Sequence, residues 1–179
     1  GILEIRRPEG TFVCRTFKPQ TINPLIYSMI LQKKESYQDL IGLRQCIEFG
    51  TLQVIMDQGL NPEDAENLRQ IAVSIERELD EPNPDPKLIC RTDIAFHDAI
   101  AKATRNDLIV TVNEMLSKLT YGSRIRTIEQ CIREHDRKYL VDIHFEILKI
   151  LEERDTDAIA HTLKRSYSYW TESPPRTSV

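Results

Sequence analysis

Glycine and long apolar runs are scarce in this sequence. It has six glycines among 179 residues and no glycine-rich loop of the kind that cradles phosphate groups. Its apolar runs fall far short of the roughly 20 residues that a membrane-spanning helix needs, so we predict no membrane association. The first residues also lack the charged and apolar regions of a signal peptide. These absences favour a cytoplasmic protein.

Paired cysteines and clustered basic residues are absent as well. The four cysteines, Cys14, Cys46, Cys90 and Cys131, are scattered without metal-ligand spacing, so we expect free, buried thiols. No run of lysine or arginine exceeds two residues, and the net charge is −4. This charge pattern argues against a large nucleic-acid surface on this part of the protein.

The first seventeen residues have a different pattern from the rest. Residues 1–7 and 11–15 are rich in strand-forming residues and flank a turn at residues 8–10, which predicts a β-hairpin. Because a lone hairpin is marginal in water, we interpret residues 1–17 as the last part of a domain whose beginning is missing. Residues 18–34 are polar, contain proline and form a predicted linker.

Helical spacing of apolar residues dominates residues 35–172. A glycine, a proline cluster and two polar patches divide this region into six or seven amphipathic helices joined by short loops. Gly122 is expected to interrupt or bend one of them. The sequence therefore predicts an all-α fold, an antiparallel helical bundle, followed by a disordered tail at residues 173–179.

Asp93 and His97 are the first candidate site residues. Residues four apart on a helix differ by about 40° around its axis, so both side chains project from one face and can chelate a divalent cation. Taken alone, the pair is explained more simply by a surface ion pair or a hydrogen-bonded core histidine. His144, however, is in phase with Leu140 and Leu148 and points inward, where an imidazole needs a partner. Asp93, His97 and His144 are therefore the predicted metal ligands.

Two arginines and two further histidines complete the candidates. Arg44 lies at the edge of an apolar stripe, where its planar guanidinium either anchors a ligand carboxylate or pairs with Glu48, and both interpretations stay open. Arg124 belongs to a second polar cluster and is included among the predicted ligand contacts. His135 and His161 fall outside the apolar faces and are expected at the surface.

Four stretches together resemble one known family. Residues 1–13 resemble the wing hairpin of a winged-helix DNA-binding domain. The motif DIAFH at 93–97 with the following Asn106, the motif HFEIL at 144–148 and the motif RQCIE at 44–48 resemble the ligand-binding domain, called FCD, of GntR-type transcription regulators of the FadR subfamily. The order and spacing of these motifs extend the resemblance over essentially the whole chain.

The resemblance implies a regulator and a site. It implies an all-α homodimer that binds a small organic acid near a divalent metal such as zinc or nickel, and that controls operator DNA binding through a preceding winged helix. Asn106 becomes a predicted ligand contact by the same resemblance. The family's metal set is one aspartate and three histidines, and the last histidine falls on Ser166 here. Serine is a poor ligand for such metals, so metal binding is expected to be weak or absent, with Ser166 a ligand contact.

The main alternative to a regulator is an enzyme. His97 and Asp98 match the central His-Asp pair of HD-type metal-dependent phosphohydrolases. Those enzymes need a further histidine upstream, and the sequence has none before His97. It also lacks a convincing nucleophile–base pair. We therefore predict a binding domain and no enzyme. A pure dimerisation module would leave the inward cluster of Asp93, His97, His144 and Arg44 unexplained.

Overall fold

A β-hairpin and a helical bundle make up the part of the chain that the structure describes. The computed structural model describes residues 3–8, 10–13 and 36–170. The predicted linker at residues 18–34 and the predicted disordered tail at residues 173–179 lie outside the described residues.

The hairpin consists of two short antiparallel strands, β1 (Leu3–Arg6) and β2 (Gly10–Val13). Leu3 lies opposite Val13, and Arg6 lies opposite Gly10. Gly10 has a φ of +117°, a conformation that glycine adopts far more readily than other residues, and it starts β2 directly after the turn. The predicted hairpin is confirmed for these residues.

Six α-helices follow within residues 36–170, and local signals fix their ends. Asn61 and Asp85 each accept a hydrogen bond from a backbone N–H of the following helix, and a proline occupies the first turn of both helices. Gly59, with a φ of +85°, ends the first helix. The helices are α1 (Ser36–Gln58), α2 (Pro62–Asp80), α3 (Pro86–Ala103), α4 (Asp107–Arg133), α5 (Arg137–Glu153) and α6 (Thr156–Ser166).

From α2 onward, helices that follow each other in the sequence pack side by side, as α2 does with α3, α3 with α4, and α5 with α6. In addition, α2 packs against α5, and α1 packs against α6. Each large apolar side chain buried between them contributes about 1.5–3 kcal/mol. This arrangement confirms the predicted all-α antiparallel bundle.

Among the described helices, none is long and apolar enough to cross a membrane. The fully buried core side chains include Leu68, Ile75, Phe96, Leu148 and Ile159.

Three details differ from the sequence-based expectation. Gly122 does not interrupt α4, which runs without a break through this exposed position because the cost of a helical glycine is only about 1 kcal/mol. Tyr167 and Trp170 lie beyond the end of α6, yet both are buried, since they pack against α1. Cys46 is exposed, whereas Cys90 and Cys131 are buried free thiols as expected.

Candidate metal and effector site

Asp93, His97 and His144 meet at the centre of the bundle. Helix α3 carries Asp93 and His97 one turn apart, and α5 brings His144 from across the core. One potential ligand atom from each residue lies within 4.8 Å of the others. Asp93 Oδ1 is 3.1 Å from His144 Nε2 and 3.8 Å from His97 Nε2. The structure therefore brings together the three residues that helical phase selected.

Hydrogen bonds fix how both imidazoles face Asp93. His97 Nδ1 lies 2.7 Å from Glu48 Oε1, and His144 Nδ1 lies 2.6 Å from the carbonyl oxygen of Leu140. A carboxylate and a carbonyl oxygen only accept, so each Nδ1 carries a proton and donates it. Burial lowers the pKa of the His97 imidazole, which keeps it neutral. Both Nε2 atoms therefore face the Asp93 carboxylate.

The donor chemistry of this group fits a divalent metal. His144 Nε2 lies 3.1 Å from Asp93 Oδ1, a contact that needs either a proton or a cation between the nitrogen and the carboxylate oxygen. Two imidazole nitrogens and one carboxylate suit zinc or nickel, and three protein ligands leave a position open for a small ligand. The bond from His97 to Glu48 is the kind of outer contact that orients a metal-binding histidine.

Arg124 neutralises Asp93 from α4. Its Nη1 donates to Asp93 Oδ2, and the arginine side chain is only 3% exposed. Burial alone would raise the pKa of the Asp93 carboxyl, but the Arg124 guanidinium holds that pKa well below its usual range. Arg124 Nε is buried without a hydrogen-bond partner within the described part of the chain. The site therefore holds a charged aspartate and one unused guanidinium donor.

Arg44 is more deeply buried than the sequence indicated, at 5% exposure. It forms an ion pair with Glu48 at 3.2 Å, donates to Tyr167 Oη at 2.7 Å and Thr120 Oγ1 at 3.0 Å, and lies over the Trp170 ring. Burial would raise the pKa of the Glu48 carboxyl, but Arg44 and His97 together lower it. Of the two open interpretations, the ion pair is present, and Arg44 also borders the cavity.

A cavity of about 50 Å³ lies beside these groups, which is room for a few atoms of a small ligand. Arg44, Arg124 and Ser166 all line this cavity, as does the metal-ligand group. The Ser166 hydroxyl donates to the carbonyl oxygen of Leu163 at 2.8 Å and can still accept a hydrogen bond.

Asn106 is not part of the cavity lining. Its Oδ1 instead accepts hydrogen bonds from the backbone N–H groups of Leu108 and Ile109 at the start of α4, 3.0 and 3.3 Å away. An exposed helix cap fully accounts for this asparagine, so its predicted role as a ligand contact has no support in the fold.

Two further residues, Glu48 and Tyr167, belong to the site although the sequence does not predict their roles there. Glu48 was considered only as a partner of Arg44, whereas it also orients His97. Tyr167 was assigned to the core of the last helix, but its hydroxyl donates to Glu48 and its ring lines the cavity. The only sequence signal for Glu48 was its place in the RQCIE motif, and Tyr167 had none.

The remaining polar candidates lie elsewhere. His135 and His161 are exposed, as predicted. Asp98, the second residue of the pair that suggested a phosphohydrolase, accepts a hydrogen bond from Asn113 Nδ2 at 2.6 Å and does not line the cavity. The described structure therefore separates Asp98 from the group formed by Asp93, His97 and His144.

Comparison with known proteins identifies the family. Residues 39–168, well over half of the chain, match the FCD domain. The chain belongs to the FCD domain family. This finding confirms the resemblance to GntR-type regulators that the motifs around Asp93, His144 and Arg44 indicated.

Two individual relatives agree with this assignment. The HTH-type transcriptional regulator LutR of Bacillus subtilis (strain 168) is 24% identical over 150 residues, which cover 78% of this chain and 66% of that protein. The solved structure of Streptococcus agalactiae GntR has a TM-score of 0.61 at 20% identity and covers 92% of this chain and 73% of that one. At this identity the structural likeness shows the shared fold alone. The chain spans slightly less than two thirds of LutR.

Proposed function

We propose that this chain is the effector-sensing and dimerisation part of a DNA-binding transcription regulator of the FadR subfamily. A small organic acid binds beside a divalent metal at Asp93, His97 and His144, and its binding controls the affinity for operator DNA. This proposal rests on the two imidazoles of the site. Their Nδ1 atoms are hydrogen-bonded to other groups, so both Nε2 atoms face the Asp93 carboxylate. Membership in the FCD domain family supports it.

The cavity favours a small anion as the effector. A metal on three protein ligands keeps a coordination position for a carboxylate oxygen, the ligand type that completes such sites. Arg124 and Ser166 both line the same cavity, and Arg124 has a buried Nε that lacks a hydrogen-bond partner among the described residues. Asp93 and Glu48 are already paired with arginines, so an incoming carboxylate meets no bare negative charge.

Helix α1 is the proposed route from the effector to DNA. It supplies Arg44 and Glu48 to the site, and it is the first described helix after the hairpin. We interpret the hairpin as the wing of a winged-helix domain, so a shift of α1 on effector binding alters how that domain reaches the operator. Such control requires that the effector binds two arrangements of the regulator with different affinities.

An exposed apolar face supports the proposed homodimer. Leu43 on α1 and Leu108 on α4 are 43% and 56% exposed, although both are large and apolar. Leu108 and other apolar side chains, such as Ile47, Val54 and Val112, line an open groove of about 300 Å³ between α1 and α4. A second copy of the chain would remove this surface from water, which is the usual reason for such a patch.

Thermal unfolding in the presence of small carboxylic acids tests the sensor function. At an acid concentration about 100 times the Kd, the metal-loaded chain should gain about 2.7 kcal/mol, raising the Tm by roughly 5–10 °C. His97→Ala should abolish this gain, whereas His161→Ala, which changes an exposed histidine outside the cavity, should retain it. A wild-type chain that responds to none of the acids, with or without metal, would contradict the proposal.

A further inference from the structure

The effector's charge can be inferred from the site itself. We propose that the effector is a short dianion, with one carboxylate at the metal and a second acidic group on Arg124. This inference rests on the proposed function, because it assumes that an acid binds beside a metal at Asp93, His97 and His144. It goes further by naming the charge and the length of that acid.

The charged side chains around the cavity are balanced before a metal binds. Among the described residues that line the cavity, the charged groups are Arg44, Arg124, Glu48 and Asp93, two of each sign. They form two pairs, Arg44 with Glu48 and Arg124 with Asp93, so the side chains alone are balanced. Histidines that bind a metal do so as neutral imidazoles. A divalent cation therefore adds two positive charges that none of these described side chains compensates.

Uncompensated charge in such a place is costly. Arg44 and Arg124 are 5% and 3% exposed, so water screens little of the excess. A monocarboxylate cancels one of the two added charges and leaves the other buried. A dianion cancels both added charges, so the cavity with metal and effector has the same net charge as the side chains alone.

The second argument is the unpaired donor of Arg124. Its Nε is buried without a hydrogen-bond partner among the described residues, while its Nη1 is occupied by Asp93. A buried donor left unpaired costs free energy, and a second acidic group removes that cost with a charge-assisted hydrogen bond. This donor is independent of the charge count, and it places the second acidic group at Arg124.

The length of the effector follows from the position of Arg124. Because Arg124 is bonded to Asp93, itself a predicted metal ligand, the two anchoring points for the acid are close together. The cavity has a volume of only about 50 Å³. Both facts favour a short spacer between the acidic groups, as in malonate or succinate, over a long-chain acid.

Calorimetric titration of the whole zinc-loaded chain tests the inference. Malonate and succinate should bind at least about tenfold more tightly than acetate, propionate or butyrate, a difference of about 1.4 kcal/mol. Monocarboxylates that bind equally or more tightly would overturn the dianion while leaving the sensor function in place. If neither kind of acid binds, the proposed function itself fails, and this inference fails with it.

A pair of variants assigns the second acidic group to Arg124. Arg124→Gln removes one positive charge and the unpaired Nε. The ratio of the monocarboxylate Kd to the dicarboxylate Kd should therefore fall to about one. Arg126→Gln is the matched control, because Arg126 contacts Ser123 and does not line the cavity, and it should keep the wild-type ratio. Circular dichroism establishes that each variant is folded. A folded Arg124→Gln with the wild-type ratio would overturn the assignment to Arg124.

Discussion

Arg44→Leu is expected to lower the free energy of unfolding by about 3–5 kcal/mol, the usual cost of removing one partner from a buried ion pair. The substitution leaves Glu48 buried at 14% exposure with its main positive partner gone. It also removes the donors to Tyr167 and Thr120 and the guanidinium over the Trp170 ring. Urea denaturation followed by circular dichroism measures the loss.

A surface arginine provides the control for this prediction. Arg69 is 47% exposed and pairs with Glu152 at the surface, so Arg69→Leu should cost less than about 1 kcal/mol. The double variant Arg44→Leu/Glu48→Leu should recover part of the loss, because it removes the unpaired charge as well. If Arg44→Leu costs no more than Arg69→Leu, Arg44 does not hold α1 to the site as described.

Ser166→His is expected to strengthen zinc binding by about 100-fold. A four-ligand zinc site binds with roughly 10–16 kcal/mol, so one additional ligand contributes roughly 3 kcal/mol. Ser166 borders the same cavity as Asp93, His97 and His144, which places the new imidazole beside the group. A competition titration with a zinc chelator measures both affinities.

The matched control is Ser168→His, which introduces a histidine two residues after position 166. Ser168 is exposed and does not line the cavity, so Ser168→His should leave the affinity at the site unchanged. An unchanged affinity in Ser166→His, with the fold intact, would show that α6 does not present position 166 to the metal. The resemblance to the family's four-ligand pattern would then not extend to this position.

Much of the fold could be predicted because its determinants are local. The caps at Asn61 and Asp85 and the stop at Gly59 act within a few residues, and the structure has helix ends at all three. Helical spacing predicted that Asp93 and His97 share one face and that His144 points inward, and the structure brings the three together.

The rest depends on contacts between distant parts of the chain. Glu48 reaches His97 from another helix, and Arg124 reaches Asp93 across 31 positions, so no local spacing reveals either contact. Tyr167 continues the apolar spacing of α6, yet it lies beyond the helix end, where α1 buries it. The site's acids and bases were thus visible in the sequence, but their contacts between distant helices were not.

Zinc titration of the metal-stripped chain by calorimetry shows whether Asp93, His97 and His144 hold a divalent metal. We expect saturable binding of a single metal ion per chain, weakened by about 100-fold in His144→Ala, which loses one ligand of roughly 3 kcal/mol. His161→Ala, at an exposed position, should bind as the wild type does. Absence of binding to the wild type, or equal binding by His144→Ala, would contradict the proposed metal site.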